Sequence, residues 1–324
     1  MRKRRLSLGI DTSNYTTSAA LTDAGSGEIL SDLRVLLSVK QGEKGLRQSD
    51  ALFQHWQNLP AMLEKLYASL DGELACIAVS EKPRPQEGSY MPVFTAGVNA
   101  ARMLAASSGT PLLFSTHQEG HIAAAMYGNE AACEGDKLIC AHLSGGTLEL
   151  VLRSRASVGS QSERSAAPVY TYEVIGGTKD ISYGQLLDRL GVDWGFAFPA
   201  GKSIDDLALS FAPEGRKSPF SRVFCDKTYL NLSGLETQLK SAKNALSKEE
   251  AAYWVMDAIA ESFVRITEAA KKETGARTVL VTGGVACSAF LRGRCEPYGY
   301  AFGRRDLCSD NAVGISLLGG ALCH

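Results

Sequence analysis

The stretch Leu6-Ser7-Leu8-Gly9-Ile10-Asp11 alternates apolar with small residues and ends on a carboxylate, which predicts a β-strand. Polar residues 12–18 follow it, and Ala19-Ala20-Leu21-Thr22 predicts a second strand, so that the two form a hairpin. A carboxylate at a strand end followed by hydroxyl side chains can hold a metal ion or a phosphate. The same residues also suit an ordinary tight turn, and the hairpin alone leaves both interpretations open.

A second hairpin is predicted near the middle of the chain. Residues 137–143 and 148–152 are apolar strands that flank the turn Ser144-Gly145-Gly146-Thr147. Glycines lack a Cβ and let backbone N–H groups approach a phosphate, although a purely structural turn uses the same residues. The second half of the chain therefore repeats the first in outline, with glycines where the first hairpin carries Asp11.

Strands and helices alternate outward from these hairpins. Apolar residues at helical spacing predict helices over 46–69 and 95–107, and continuous apolar runs predict strands over 74–80 and 111–115. A long amphipathic pattern over 249–273 predicts a further helix, whose apolar face belongs to a core. This alternation is typical of α/β folds, in which ligands gather where strands end.

The segment Thr116-His117-Gln118-Glu119-Gly120-His121 begins where the strand at 111–115 ends. Histidines four residues apart lie on one face of a helix and can bind one divalent metal ion, although two solvated histidines have the same spacing. The protease signature H-E-x-x-H is absent, because Glu119 follows His117 by two residues and the general base is missing from its place.

Three other segments have local predictions. Apolar residues 278–282 predict a strand that runs into Gly283-Gly284, a turn able to cradle a phosphate or the adenosine end of a nucleotide, with a helix beginning near Ser288. Asp180 is expected in the first turn of a helix, where its negative charge would interact favourably with the positive end of the helix dipole. The Ser-, Arg- and Ala-rich residues 154–168 predict a flexible loop.

The composition is that of a folded globular protein of about two domains. Among 324 residues 45% are hydrophobic and 21% charged, and the formal net charge of −1 gives no global basic field, so any RNA contact would come from a local patch or a partner. The apolar segment after basic residues 1–5 is too short for a signal peptide or a membrane span. Eight cysteines without a C-x-x-C pair indicate reduced thiols and a cytoplasmic protein.

Taken in this order, the segments resemble the tRNA threonylcarbamoyladenosine transferases, a family once described as O-sialoglycoprotein endopeptidases or glycoproteases. The resemblance covers nearly the whole chain. Its carriers are Gly9-Ile10-Asp11-Thr12-Ser13, His117-Gln118-Glu119-Gly120-His121, Ser144-Gly145-Gly146, Asp188 with Pro199-Ala200-Gly201, Gly283-Gly284-Val285 and Ser309-Asp310-Asn311.

The resemblance implies an α/β, actin-like ATPase fold with two RNase-H-like subdomains and the active site in the cleft between them. We accordingly expect an N-terminal subdomain over 1–130, a C-terminal subdomain over 131–308, and a C-terminal helix over 309–324 that packs back on the first. It also implies a catalytic role for Asp11.

The resemblance further implies that His117, His121 and Asp310 bind one divalent metal ion, iron or zinc. His142 stands where some members have a further ligand, so it is either a fourth ligand or an ordinary strand histidine. The residues implied to bind the substrate or nucleotide are Ser144, Gly145, Gly146, Asp188, Gly201, Gly283, Gly284 and Ser288.

The family reaction moves a threonylcarbamoyl group from threonylcarbamoyl-adenylate to the N6 amine of an adenosine in tRNA. The resemblance therefore implies a metal-dependent transferase that uses threonylcarbamoyl-AMP or another adenine nucleotide. Its implied partners are tRNA or a related acceptor and other tRNA-modification proteins, with no membrane involved.

Several departures from the family pattern leave a second interpretation open. Asp11 replaces a glutamate, Thr147 a histidine and Ser288 an asparagine, while proline-rich residues 82–92 replace a glycine-rich loop and Asp180 stands alone in place of a pair. The alternative is a non-catalytic paralogue that binds metal or nucleotide as a scaffold or regulatory partner. A metalloprotease is the third and weakest hypothesis, because H-E-x-x-H is missing.

Overall fold

The computed structural model of the chain describes residues 3–13, 15–39, 46–156, 170–242 and 245–323. The strands of this part are β1 (Arg5–Asp11), β2 (Thr16–Asp23), β3 (Ile29–Leu36), β4 (Glu73–Lys82), β5 (Leu112–Thr116), β6 (Lys137–Leu143), β7 (Leu148–Arg155), β8 (Tyr170–Thr178), β9 (Phe224–Asp226), β10 (Tyr229–Asn231), β11 (Val279–Thr282) and β12 (Ala301–Phe302). Its α-helices are α1 (Gln48–Ala68), α2 (Thr95–Ser108), α3 (His117–Met126), α4 (Tyr183–Asp193), α5 (Gly201–Ser210), α6 (Ser233–Ala242), α7 (Lys248–Thr274), α8 (Ala289–Cys295) and α9 (Val313–Leu322).

These elements form two compact units. The first unit comprises Met1–Tyr127 and Asp310–His324, and the second unit comprises Gly128–Ser309. Each unit contains one mixed β-sheet. In the described residues, no helix combines the length and the apolar character that crossing a membrane requires.

The sheet of the first unit has the strand order β3-β2-β1-β4-β5. The hairpin predicted from the opening stretch is confirmed, since β1 and β2 pair antiparallel with Asp11 opposite Ser18. On its other side β1 pairs parallel with β4, which pairs parallel with β5. Strand β1 is buried on both faces, because Gly9 lies against α9 and Ile10 lies against α2. The alternation of small and large residues along β1 therefore lets one face of the strand pack closely against α9 and the other face pack against α2.

Helix α9 is held on this sheet by buried hydroxyl groups. The Ser316 hydroxyl donates to the Ser7 carbonyl at 2.7 Å, and the Ser7 hydroxyl donates to the Ser316 carbonyl at 2.6 Å. The Thr22 and Ser316 hydroxyls lie 2.8 Å apart. Buried hydrogen bonds of this kind specify one position of the helix, because any shift would leave polar groups unpaired away from water. This position places Asp310, just before the helix, in the first unit.

The sheet of the second unit has the strand order β12-β11-β6-β7-β8-β10-β9. Its segment β8-β7-β6-β11-β12 repeats the order of the first sheet, with an antiparallel meander followed by two parallel strands. The repeat predicted from the two hairpins is therefore confirmed at the level of topology. Strands β9 and β10 extend the second sheet beyond β8.

The core of the second unit is built around α7, as the amphipathic pattern predicts. This helix contacts α5, α8 and several strands of the sheet. The apolar positions named by the pattern are all buried: Ala252, Val255, Met256, Ile259, Phe263 and Ile266. Because this wide apolar face is buried along its length, α7 is the central packing element of the unit.

The local prediction for Asp180 is wrong. Helix α4 begins after Ser182, which forms a capping box with Gln185. The Asp180 carboxylate instead accepts the backbone N–H groups of Leu232 and Ser233, both at 2.9 Å, where α6 begins. The capping box satisfies the first N–H groups of α4 locally and leaves Asp180 to a different helix. Of the loop predicted at 154–168, residues from 157 onward lie outside the described part, and β7 extends to Arg155.

Candidate functional site

Helix α3 begins with a capping box that determines what Glu119 does. The Thr116 hydroxyl accepts the backbone N–H of Glu119 at 3.2 Å, while the Glu119 carboxylate accepts the backbone N–H of Thr116 at 2.9 Å. The same carboxylate accepts the hydroxyls of Thr116 and Ser115. Glu119 is therefore occupied as a helix cap, and the contacts described next are made by His117, the first residue of α3, and by His121 one turn later.

His117 and His121 converge with Asp310 in the first unit. The two imidazole rings are 4.4 Å apart between centroids. One oxygen of Asp310 lies 3.3 Å from Nε2 of His121 and 3.8 Å from Nε2 of His117. One ligand atom from each residue falls within 4.8 Å of the others. Two imidazoles and a carboxylate at this separation are a donor set that suits a single divalent metal ion.

The closeness of Asp310 to the histidines depends on two glycines. Helices α3 and α9 pack so closely that a Cβ atom on Gly314 would overlap the carbonyl oxygen of Gly120. A Cβ on Gly120 would in turn approach the Ile315 side chain to 2.7 Å. Because α9 begins just after Asp310, this backbone contact determines how far the carboxylate stands from the α3 histidines. The sequence motif contains Gly120 but does not indicate its partner.

Asp11 is completely buried and forms a hydrogen bond with His117. Nδ1 of His117 lies 3.3 Å from the Asp11 carboxylate. The hydroxyls of Ser13, at 2.6 Å, and of Ser80 donate to the same carboxylate. A carboxylate on Nδ1 fixes the orientation and tautomer of the ring and leaves Nε2 for a metal ion. The catalytic role expected of Asp11 stays a prediction, and its contacts are those of a group that positions His117.

The charges of this cluster shift three pKa values. Burial alone would raise the pKa of Asp11, but the charge and hydrogen bond of His117, aided by the two serine hydroxyls, bring it below its ordinary value. Burial alone would lower the pKa of His117, but Asp11 and then Asp310 raise it. Burial and the charge of His117 lower the pKa of His121. A ligating imidazole must be neutral, so a metal ion at His117 would compete with the protonation that Asp11 and Asp310 favour.

In the second unit the turn at Ser144 and Gly145 packs against the beginning of α4. The Ser182 hydroxyl donates to the Gly145 carbonyl at 2.8 Å. A Cβ on Gly184 would come within 2.5 Å of the Gly145 backbone, so only glycine allows this approach. The Ser144 hydroxyl accepts the backbone N–H of Thr147 at 3.1 Å, which uses it inside the turn. Gly146 has open space where a side chain would stand.

Asp188, one helical turn further along α4, reaches the start of α5. Its carboxylate accepts the backbone N–H of Ala200 at 2.8 Å and is also hydrogen-bonded to the Gly201 N–H. Burial raises the pKa of Asp188, and these two N–H groups oppose that shift. A Cβ on Gly145 would stand 3.9 Å from the same carboxylate. The structure thus brings Gly145, Asp188 and Gly201 together.

The remaining predicted nucleotide residues follow β11. Gly283 adopts a φ of 93° and lies against the Leu143 carbonyl at the end of β6, which leaves no room for a side chain. Ser288 caps α8 by accepting the Leu291 N–H at 2.9 Å, and its own hydroxyl donates to Asp205 at 2.5 Å. Gly284 has no side-chain neighbour within 4 Å of where a Cβ would stand.

Asp205 is a residue of this region that sequence reasoning missed. It lies on α5, is nearly buried, and accepts the backbone N–H groups of Ala289 at 2.9 Å and Phe290 at 3.2 Å. It therefore caps α8 from a distant part of the chain. No local pattern could have found it, because the partner is more than eighty residues away.

His142 lies in β6, where it pairs with Thr282 on one side and Glu149 on the other, and it is buried. This position in a strand agrees both with a fourth metal ligand and with an ordinary strand histidine, the two interpretations that the sequence left open. Its role as a fourth metal ligand stays a prediction.

Comparison with known proteins adds to this geometry. A family model, TsaD, described as tRNA N6-adenosine threonylcarbamoyltransferase, matches residues 37–317. The chain belongs to this family. The resemblance stated from the motifs is confirmed.

Relatives of the same description cover nearly the whole chain. A tRNA N6-adenosine threonylcarbamoyltransferase of Desulfitobacterium hafniense is 29% identical, over 96% of this chain and 90% of the relative. One of Thermotoga neapolitana is 26% identical, over 96% of this chain and 92% of the relative. A probable bifunctional tRNA threonylcarbamoyladenosine biosynthesis protein of Methanothermobacter thermautotrophicus is 27% identical, and the chain spans 55% of its length.

Solved structures confirm the α/β, actin-like ATPase fold expected of a threonylcarbamoyltransferase family member. The chain matches HypF of T. kodakarensis with a TM-score of 0.58 at 15% identity, covering 99% of this chain and 48% of that one. It matches component A of the (R)-2-hydroxyglutaryl-CoA dehydratase of Acidaminococcus fermentans with a TM-score of 0.54 at 14% identity, covering 98% of both chains. At these identities the likeness concerns the fold alone.

Proposed function

We propose that this chain is a metal-dependent transferase that moves a threonylcarbamoyl group from threonylcarbamoyl-AMP to the N6 amine of an adenosine in tRNA. The observation that carries the proposal is the convergence of His117, His121 and Asp310, with Asp11 behind His117, in a member of this family. The relatives reported above are named for this activity, and none of them favours a non-catalytic scaffold.

The donor set fits a resident metal ion. Two imidazoles and one carboxylate suit iron or zinc, and three protein ligands leave coordination positions open, as catalytic sites do. The carboxylate behind His117 supplies the outer hydrogen bond that metal-bound histidines generally have. When bound, the metal supplies Lewis-acid stabilisation of negative charge on the phosphate or carbamoyl oxygens.

The second unit supplies groups suited to the adenine nucleotide. The proposed binding surface joins the turn at Ser144-Gly145-Gly146, the Asp188 carboxylate with Gly201, and the Gly283-Gly284 turn. The hydroxyls of Ser144 and Ser288 are already used within the protein, so we propose that these two segments contribute backbone N–H groups. Backbone donors at glycine-rich turns suit phosphate oxygens.

The proposed reaction is an acyl-type transfer. The N6 amine of the acceptor attacks the carbamoyl carbon, a C–N bond forms, the bond between that carbon and the AMP phosphate oxygen breaks, and the amine proton passes to solvent. What the chain contributes is orientation, because an amine and a carbonyl carbon react only when held close and aligned. Asp11 contributes indirectly by holding the His117 ring.

The decisive experiment incubates the purified, metal-loaded chain with unmodified tRNA and threonylcarbamoyl-AMP carrying a labelled threonyl group. We expect label in tRNA with the wild-type chain and a loss of at least about 100-fold with His117→Ala, because a metal ligand is removed. Arg222→Ala, at a surface position of the second unit, should behave as wild type. Equal activity of His117→Ala and wild type would contradict the proposed site.

We also propose that other tRNA-modification proteins take part and that the reaction occurs in the cytoplasm. The bifunctional relative of M. thermautotrophicus joins a segment matching this chain to further sequence, and its name assigns the whole to threonylcarbamoyladenosine biosynthesis. We expect such proteins to increase the rate at which the chain labels tRNA, and a rate that they leave unchanged would contradict this part of the proposal.

A further inference from the structure

Two cysteines of the second unit lie close together and are not among the residues assigned above. Cys287 ends the turn that follows β11, and Cys308 lies in the segment that follows β12. These two strands are parallel neighbours, with Val281 paired to Phe302. Segments that leave the same end of neighbouring parallel strands start close together, and this brings residues that are distant in sequence into one place.

The thiol groups lie close together, because both approach the backbone of residues 303–305. Cys287 and Cys308 are within hydrogen-bonding reach of each other. Each thiol also donates to a carbonyl of the same short segment, Cys308 to Gly303 at 3.3 Å and Cys287 to Arg305 at 3.4 Å. Cys308 is fully buried, whereas Cys287 is partly exposed. Cys287 is therefore the more accessible residue of the pair, and Cys308 is protected from solvent.

Arg292 of α8 clamps the two cysteine segments together. Its guanidinium donates to the Ala286 carbonyl at 2.7 Å and to the Gly303 carbonyl at 2.6 Å. The nitrogen that donates to Gly303, Nη2, also lies 3.7 Å from the sulfur of Cys308. The guanidinium stacks over the Phe302 ring. A planar, always charged side chain that bridges two carbonyls restricts how far the segments can separate. The contact between the thiols is thus built into the packing of the unit.

We propose that Cys287 and Cys308 form a reversible disulfide when the protein meets a peroxide. The sulfur of the partly exposed Cys287 attacks one peroxide oxygen, which breaks the O–O bond and gives a sulfenic acid and water. The Cys308 sulfur then attacks the Cys287 sulfur, and the sulfenic hydroxyl leaves as a second water. Two thiols and one hydrogen peroxide thus give one disulfide and two waters, and a dithiol reductant reverses the change.

The disulfide would restrain two segments that matter under the proposed function. Cys287 belongs to the same turn as Gly283 and Gly284, and Cys308 stands two residues before Asp310. Sulfur atoms joined in a disulfide are about 2.0 Å apart, so bonding draws the two segments closer than non-bonded contact allows. We expect the turn to lose the conformation suited to the nucleotide, and this consequence rests on the proposed function.

The test is peptide mapping by mass spectrometry after the full-length chain is treated with hydrogen peroxide and its remaining thiols are blocked. We expect a cross-linked peptide pair joining Cys287 to Cys308, absent from Cys287→Ser and Cys308→Ser and lost after dithiothreitol. Cys76 and Cys323, a contacting pair of the first unit, provide the comparison, and Cys323→Ser should leave the Cys287 cross-link unchanged. Unmodified thiols, over-oxidation of Cys287 without a cross-link, or cross-links of either cysteine to another position would overturn the proposal.

A second measurement separates this inference from the proposed function. Calorimetric titration with ATP should show several-fold weaker binding to the oxidised chain than to the reduced chain, and no effect of peroxide on Cys287→Ser. Equal affinity of the two forms would contradict the effect on the turn. Absence of binding to the reduced chain would contradict the proposed nucleotide site, while the mapping result would still decide whether the disulfide forms.

Discussion

At the scale of single residues, Asp11 is the residue whose position in the structure most sharpens its expected role. It is a buried carboxylate bonded to His117 and to two serine hydroxyls, with no exposed oxygen. A group in this position acts on a substrate only through the histidine it holds. The family pattern has a glutamate at this position. We therefore expect the change to aspartate to affect the orientation of the His117 ring.

We predict that Asp11→Asn weakens metal affinity about 10- to 100-fold while the chain stays folded, since outer carboxylates contribute roughly that much to metal sites. The amide keeps the size of the side chain but removes the charge that favours a proton on Nδ1 of His117. Competition with a chelator of known affinity measures the change. Ser13→Ala is the matched control, because it removes one hydrogen bond to the same carboxylate, and its effect should be smaller. Unchanged affinity in Asp11→Asn would show that His117 needs no such support.

At the scale of elements, the contact between α3 and α9 sets the site. Gly314→Ala would place a Cβ where the Gly120 carbonyl lies, so the helices must separate. We predict a loss of about 1–3 kcal/mol in the free energy of unfolding, as for overpacked cores, together with clearly weaker metal binding. Gly293→Ala in α8 is the control for helix propensity, because its Cβ meets open space and alanine favours helices. Full metal affinity in Gly314→Ala would contradict the link between this contact and the position of Asp310.

A second prediction at this scale concerns Asp180, which joins the end of β8 to the start of α6. Backbone N–H groups of Leu232, Ser233 and Ile181 lower the pKa of its carboxyl against the opposing effect of burial. A carboxyl whose pKa is lowered by folding stabilises the fold above its unfolded pKa, and that contribution is lost as pH falls through the folded pKa. Asp180→Ala should therefore lower the free energy of unfolding at pH 7 by about 1 kcal/mol, as the loss of a helix cap does.

The pH dependence supplies the check on Asp180. Urea unfolding of wild type and Asp180→Ala should show the full difference at neutral pH and a narrowing difference below about pH 4, near the ordinary carboxyl pKa. Asp226→Ala removes an exposed carboxylate that pairs with Lys179 and should change stability by less than about 0.5 kcal/mol. A difference that is constant with pH would mean that the charge of Asp180 is not what stabilises α6.

At the scale of the whole molecule, the proposed metal ligands come from two segments that the entire second unit separates in sequence. His117 and His121 precede the second unit in sequence and Asp310 follows it. A metal ion that bonds to all three therefore ties the closing segment of the first unit to its opening segment. Binding to the folded state alone stabilises that state by mass action.

We predict that zinc at about 100 times its dissociation constant stabilises the wild-type chain by about 2.7 kcal/mol, seen as a rise in the temperature of unfolding. The double variant His117→Ala, His121→Ala should show no rise at the same zinc concentration. His142→Ala tests the fourth ligand, since it should respond as wild type if three ligands suffice. A zinc response that survives loss of both α3 histidines would place the metal elsewhere.

Resemblance to the transferase family, and not a local pattern, pointed to Asp310 as the third proposed metal ligand. The sequence by itself determined the two repeated hairpins, the α/β alternation and the placement of His117 and His121 on one helix face. These are local properties: hydrophobic periods reveal strands and helices, and the spacing of His117 and His121 follows from one turn of α3. The core face of α7 was readable for the same reason.

Only the tertiary structure decided how these pieces meet. The bond from Asp11 to His117, the glycine contact between α3 and α9, the capping of α8 by Asp205 and the contact of Cys287 with Cys308 all join residues distant in sequence. Asp180 shows the limit most plainly, because its partner is the start of α6 and not the helix that follows it. Side-chain contacts between elements depend on how strands pair and helices pack, and a one-dimensional pattern of residues does not contain that information.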